Sequence, residues 1–271
     1  MGSRIGRRAL LGVYAALVLV PLLVMLAGSF KSTSDLFSNP FSLPEEWRFS
    51  NYSEVLGSGD LSTAFTNSAV VSTCSVTLTL LLGSLAAYGV ARIPGWPGWA
   101  VYGFLVLGMS VPAQANMIPQ FVLFDVLGLT DSLTGLVLIN IVSTLPVAVF
   151  ILAGFMRALP REIYEAAALD GVGPWRTYRS ITLPLSLPSV AATAIFLLVI
   201  HWNELLYPLL FINDPEKRTL PLALLNFQGE FLTNYPLLFT GVVVASLPLV
   251  VGYIFLQRFF IAGMTAGSVK E

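Results

Sequence analysis

Charged side chains along this chain are separated by six long stretches that contain none: 9–30, 61–91, 93–124, 132–156, 180–203 and 231–257, with 22, 31, 32, 25, 24 and 27 residues. The next longest gap, 219–229, has 11. About 20 apolar residues at a rise of about 1.5 Å cross a hydrocarbon core of about 30 Å, so each of the six predicts a membrane-spanning helix. Within the windows the expected spans are about 9–30, 66–90, 99–118, 133–155, 185–207 and 236–258. The expected fold class is therefore all-α: a polytopic membrane protein with six transmembrane helices, residues 1–271 forming a single transmembrane domain.

Helix breakers refine this outline. Arg92-Ile93-Pro94-Gly95-Trp96-Pro97-Gly98 holds two prolines and two glycines in seven residues and predicts a tight turn after span two. Pro112 predicts a kink in span three and Pro248 an interruption of span six. The segment 31–60, with Asn39-Pro40 and Leu43-Pro44, reads as a loop with one amphipathic turn from Tyr52 to Leu56. In span four, Asn140, Ser143 and Thr144 stand at i, i+3 and i+4, on one helical face. Both hydrogen bonding between helices and the lining of a pore fit that pattern.

Composition closes off several classes. The chain is 56% hydrophobic and 11% charged, against about 25% charged in a soluble domain. One cysteine, Cys74, allows no intrachain disulfide or thiolate cluster, and one histidine, His201, no His-rich ligand set. A net charge of −1 gives no sign of nucleic-acid binding. No Gly-Lys pair occurs, so a phosphate-cradling GxxxxGK[ST] loop is absent. His201 and Glu204 stand at i, i+3, the one pair that suggests an intramembrane metalloenzyme; two ligands are thin support, and the expectation is no metal and no catalysis.

Charge also predicts orientation. If six spans alternate with the N-terminus inside, Arg4, Arg7, Arg8, Arg92, Arg157, Arg161, Arg176, Arg179, Arg258 and Lys270 fall on the inner side, and only Lys31, Arg48, Lys217 and Arg218 outside. Ten against four obeys the positive-inside rule and places both termini in the cytoplasm. A cleaved signal peptide is the rival reading of the start, but its apolar run of about 7–15 residues is shorter than the one here, so an uncleaved anchor is expected.

The inner segment 157–184 is the most informative. Pro160 to Asp170 predicts a short helix, with proline in the first turn, Glu162 and Glu165 near its positive end and Gly171 at its stop. Ala166-Ala167-Ala168 presents only methyl groups, so another surface can approach closely. Gly173-Pro174 starts a second helix carrying Trp175, Tyr178 and Ile181, expected to end before Leu183-Pro184. The two form a knuckle suited to a partner's groove.

Glu165-Ala166-Ala167, Gly171, Ile181, Leu183 and Pro184, at their spacing, resemble the EAA loop of permease subunits of ATP-binding-cassette importers. Trp202-Asn203-Glu204, Arg218-Thr219-Leu220-Pro221, Asn51-Tyr52, and Gln257-Arg258-Phe259-Phe260 with Gly263, Thr265-Ala266-Gly267 and Lys270 are similar to the smaller permease of maltose-type carbohydrate importers. The chain ends in Glu271 where that family often has Gly.

The resemblance implies a multi-pass protein of a prokaryotic plasma (inner) membrane that gives a sugar or oligosaccharide its path. Implied partners are a second permease, two cytoplasmic ATPase subunits, an extracellular solute-binding protein and the lipid bilayer, with no nucleic acid. It implies no cofactor on this chain, ATP and Mg being bound by the ATPases. The seven loop residues would couple to the ATPases, and the tail from Gln257 to Glu271 would lie against them. Asn226, Phe227, Gln228 and Gly229 would form the tip of a loop reaching the binding protein. Candidates along the substrate path are Gln114, Asn116, Asn140, His201, Trp202, Asn203, Glu204 and Tyr207. Alternative cargoes are glycerol phosphate, an amino sugar or a peptide.

Overall fold

The structure is a computed structural model that describes residues 2–227 and 233–266. Its regular elements are helices throughout. α1 (Gly2–Gly28) passes through Pro21 without a break. α2 (Thr33–Ser38) starts where the Ser32 side chain accepts a hydrogen bond from the Asp35 N–H, and α3 (Ser50–Gly57) follows. The 31–60 segment thus holds two short helices where a single turn was expected.

α4 (Gly59–Arg92) is longer than the expected 66–90, its charged ends lying beyond the apolar window. Span three, expected as one kinked helix over 99–118, is instead two helices. α5 (Trp96–Leu107) runs into a 3-10 turn at Gly108–Ser110, and α6 (Ala113–Val126) leaves at 96° to it. Steric conflict with the Pro112 ring drives Val111 into extended backbone (φ −92°, ψ 118°), so the helix stops there and restarts.

α7 (Leu133–Ala158) begins at Ser132, whose side chain accepts from the Gly135 N–H at 3.0 Å. Gly135 is required at this corner, because a Cβ there would collide with the Leu129 carbonyl oxygen. α8 (Arg161–Leu169) is the first knuckle helix. α9 (Pro174–Thr177) widens into a π turn over Tyr178–Thr182 and continues as α10 (Leu183–Leu185). The second knuckle helix therefore does not end before Leu183-Pro184. The π turn lets the Leu183 N–H reach the Tyr178 carbonyl, and Pro184 sits in a first helical turn, where its missing N–H costs little.

α11 (Leu187–Trp202) departs at 74° from the Pro174–Leu185 segment. Span five, expected over about 185–207, ends at Trp202; residues 203–205 separate it from α12 (Leu206–Phe211). α13 (Leu220–Leu224) precedes α14 (Tyr235–Ala266), which is unbroken at Pro248. A single proline removes one hydrogen bond, and that did not stop this helix as it stopped span three. Among the described residues four helices are long and apolar enough to cross a membrane, and six spans result if each bent pair counts as one.

The chain divides into two compact units, residues 1–65 with 220–247 and residues 66–219 with 248–271. In the first, the buried Asn51 amide donates to the Ser29 and Lys31 carbonyls at 2.8 and 3.0 Å, and the Thr240 hydroxyl reaches the same Ser29 carbonyl at 3.0 Å. Lys31 is fully buried; its ammonium donates to the Asn39 carbonyl and the Ser42 hydroxyl and lies 3.8 Å from Asp35.

In the second unit, Asn140 of α7 bonds Ser75 of α4, and Ala148 packs on Gly83, with a position on Gly83's Cβ 3.0 Å from the Ala148 methyl. Further along, Ala87 clusters with Leu152, Ala153 and Met156. The pairing advances in the same direction on both helices, so α4 and α7 run parallel. Residues 93–132 must then travel back between them, and the bent pair α5–α6 makes that return. His201 meets Thr144 while Val190 packs on the Leu152–Met156 cluster, so α11 runs antiparallel to α7.

Candidate functional site

Two groups of side chains, both in the second unit, carry the chemistry. The first is a polar seam around the middle and start of α7. The Ser143 hydroxyl donates to the Tyr207 hydroxyl at 3.2 Å, which donates to Gln120 Oε1 at 2.9 Å, linking α7, α12 and α6. One helical position on, Thr144 donates to the Asn140 carbonyl at 2.7 Å and lies 3.3 Å from His201 Nε2. With its own proton committed to Asn140, Thr144 accepts from the Nε2–H tautomer of His201.

Asn140, His201 and Tyr207 of the predicted path residues thus gather on α7, all buried. Trp202 is buried beside His201. Asn203 and Glu204 serve the backbone instead: the Asn203 amide donates to the Val199 carbonyl, and Glu204 Oε1 accepts the Leu206 and Tyr207 N–H groups at 2.9 and 3.2 Å. From the position before the N-cap Leu205, Glu204 thereby satisfies the first two N–H groups of α12. Gln114, exposed, and Asn116, half-buried, occupy the first turn of α6 outside the seam. Gln120 and Ser75 escaped the sequence reading, although each is a polar residue within an apolar window.

At the α4 start, the turn before α7 is clamped to the segment after α12. Asp131, in the left-handed region at φ 49°, accepts on Oδ1 from the Asn213 and Asp214 N–H groups, each at 3.0 Å, and on Oδ2 from Lys217 at 3.2 Å. Lys217 also pairs with Asp214 at 3.3 Å. Asn67 donates to the Glu216 and Arg218 carbonyls at 2.8 and 2.9 Å. The two backbone donors, then Lys217, hold the Asp131 carboxyl below the usual carboxylate range, and the two carboxylates hold the Lys217 ammonium above its ordinary value.

The second group is the knuckle. Gly171 takes φ 69°, a left-handed stop that glycine adopts without strain, and the Gly171 and Val172 N–H groups close back on the Ala168 and Ala167 carbonyls. Ala167 is buried, whereas Glu165, Ala166 and Pro184 are exposed and Ile181 and Leu183 half-buried. Three contacts tie the knuckle to α4 and a fourth, between Thr182 and Tyr164, joins its two halves. Tyr178 meets the Ser84 hydroxyl at 2.8 Å, Tyr88 donates to the Pro174 carbonyl at 3.0 Å, and the Thr182 hydroxyl donates to that of Tyr164 at 3.4 Å. Arg92 lies over the Tyr164 ring at 4.1 Å. Tyr88, Tyr164 and Arg92 were not read as site residues, since nothing local in the chain marks them as neighbours.

Asn226 and Phe227 close a 3-10 turn whose Phe227 carbonyl accepts from the Asn234 N–H at 3.1 Å. Gln228 and Gly229, and the tail positions from Gly267 to Glu271, lie outside the described residues.

A family model described as the binding-protein-dependent transport system inner membrane component matches residues 79–266. The chain is 35% identical to the diacetylchitobiose uptake system permease protein NgcG of Streptomyces coelicolor, over 97% of this chain and 86% of the relative. It is 32% identical to the melibiose/raffinose/stachyose import permease protein MelC of Bacillus subtilis, over 96% and 95%. Its fold is similar to a chain of a solved bacterial ABC transporter involved in the import of the acidic polysaccharide alginate, with a TM-score of 0.78, 24% identity and coverage of 94% and 95%.

Proposed function

The chain belongs to the binding-protein-dependent transport system inner membrane components, a permease and not an enzyme, and from that premise we propose that it forms part of the membrane path of an ATP-driven oligosaccharide importer. The observation that carries the cargo is the end-to-end similarity to permeases named for diacetylchitobiose and for melibiose, raffinose and stachyose.

In this reading a second permease and two ATPase subunits complete the complex, and an extracellular binding protein delivers the sugar. The Arg92 and Arg157 ends of α4 and α7 face the cytoplasm, as do both termini. Glu165, Ala166, Ala167, Gly171, Ile181, Leu183 and Pro184 meet the ATPases. When the ATPases close, force on α8 passes through Tyr164 to Thr182 and through Tyr178 and Tyr88 to α4, so the knuckle moves with the helices and not against them. The α9–α10 segment leads directly into α11, which carries His201 to the seam.

Sugars are recognised by hydroxyls, amides and aromatic faces, and Tyr207, Gln120, Ser143 and Asn140 supply that chemistry. Asn226, Phe227, Gln228 and Gly229 meet the binding protein, and the tail from Gln257 meets the ATPases.

Uptake of labelled raffinose and diacetylchitobiose in cells lacking the native permease gene tests the reading. The wild-type chain restores saturable, ATP-dependent uptake of an oligosaccharide. Gly171→Asp, which needs a left-handed backbone under a side chain in the docking loop, reduces it more than about tenfold with the protein still in the membrane. Uptake at the wild-type rate in Gly171→Asp would overturn the coupling assignment. Glycerol phosphate, an amino sugar or a peptide competing where oligosaccharides do not would overturn the cargo.

A further inference from the structure

Beside the knuckle, the ends of α4, α7 and α8 enclose a cavity of about 540 Å³. Arg92, Arg157 and Arg161 line it together with Trp99 and Tyr164, and Glu165 is the acidic side chain on its wall. Among the described residues no carboxylate lies within 4.0 Å of any of the three guanidiniums. Two of them are held by rings: Arg92 over Tyr164, and Arg157 over Trp99 and Tyr102 at 4.2 and 4.3 Å. Arg92 also hydrogen-bonds the Tyr88 side chain; stacking fixes the plane of a guanidinium, and the remaining edge N–H groups can meet another acceptor. Three cations facing one carboxylate leave an excess of positive charge, which an anion entering the cavity would offset.

The surroundings say which anion. Trp96 and Trp99 are exposed at the start of α5, and Val101 and Phe104 continue an exposed apolar surface along the helix. Indoles at the end of an apolar helix mark the membrane–water boundary. A cavity of this size is in the range that encloses a small polar group, and it opens beside a surface suited to acyl chains.

We propose that this cavity binds the phosphate-bearing headgroup of an anionic phospholipid, with Arg92, Arg157 and Arg161 as the phosphate contacts and the chains along α5. Arg–phosphate pairing is bidentate and directional, which the ring-held guanidiniums favour. Glu165 belongs to both this wall and the coupling loop of the proposed importer, so a bound lipid adjoins the residues that meet the ATPases; that link rests on the importer reading, whereas the binding itself does not.

The test is native mass spectrometry of the full chain titrated with phosphatidylglycerol or phosphatidylcholine. The wild type retains phosphatidylglycerol more than about tenfold better, and each arginine removed weakens this about fivefold. Arg92→Gln with Arg157→Gln removes most of the preference. If that pair fails to fold, Arg161→Gln, whose side chain is exposed and stacks on no ring among the described residues, shows its single fivefold loss. Glu165→Gln tightens phosphatidylglycerol by removing the like charge. Unchanged preference in the folded arginine variants would overturn the proposal. So would displacement of phosphatidylglycerol by millimolar inorganic phosphate, which would make the site one for a soluble anion. The readout needs no transport, so its failure leaves the importer standing, and a failed uptake assay leaves this site standing.

Discussion

The two ends of the second unit handle charge in opposite ways. At one end, Asp131, Asp214 and Lys217 satisfy each other and the intervening backbone. At the other, Arg92 and Arg157 are stacked on aromatic rings with no carboxylate within 4.0 Å among the described residues. α4 and α7 both reach from one end to the other, α7 over 26 residues or about 39 Å of helix. One end is closed on itself, and the other holds guanidiniums that no carboxylate of the described residues pairs within 4.0 Å. The difference teaches that charge number is a poor guide to a docking surface; what matters is whether the partners of each charge are already present.

The sharpest way to break the contrast is to separate the ends. Gly83 lies midway along the parallel α4–α7 contact, with no room for more than Ala148 opposite. Close approach through small residues is how membrane helices pack. Gly83→Leu is expected to cost about 1–3 kcal/mol by overpacking, with lower unfolding temperature in detergent and loss of uptake. A variant as stable as the wild type would show that the two helices are not held by this contact.

An intermediate effect comes from pH. The Asp131 carboxyl is depressed in the folded chain, so its stabilisation is present above the unfolded carboxylate range and is lost as pH falls through the lower, folded value. Lys217 is raised, so its contribution is present below the ordinary lysine range and is lost only as pH rises through the higher folded value. The clamp is therefore level across neutral pH and opens in acid. Protection of the Asn213, Asp214 and Glu216 amides against hydrogen exchange, relative to their intrinsic rates at each pH, should fall on acidification, and Asp131→Asn should flatten that fall. Equal acid sensitivity at both ends would remove the distinction.

The smallest effect is expected from Lys217→Gln. Its ion pairs are about two-fifths exposed, and such pairs are screened by water and salt. The backbone donors on Asp131 remain, so the unfolding temperature should change little and uptake not at all. A large fall would mean that Coulombic attraction and not backbone hydrogen bonding holds the clamp.

Much of the helical outline was legible in the sequence because it is set locally. A charge-free run beyond about 20 residues has to satisfy its own backbone in lipid, and only a helix does so within one segment. The knuckle's first helix and its Gly171 stop were legible for the same reason. Proline was the weak signal. Pro112 ends a helix while Pro248 lies inside one, because the outcome depends on whether neighbouring structure compensates a single missing donor. Span five was read too long since Asn203, Glu204 and Leu205 are compatible with either a helix or a capped break.

The seam illustrates what could not be read. Asn140, Ser143 and Thr144 were visible on one face, but their partners Ser75, Tyr207 and His201 come from three other helices. Tyr164 and Arg92 meet in the same way, from segments separated by three helices in chain order. The sequence by itself determined the solvent of this protein, the number of apolar windows and the family it belongs to, because hydrophobicity and helix capping act between near neighbours. Tertiary structure alone decided which polar groups are joined, which charges are neutralised and which arginines remain open around a cavity, because those outcomes depend on helices that meet only after the chain has packed.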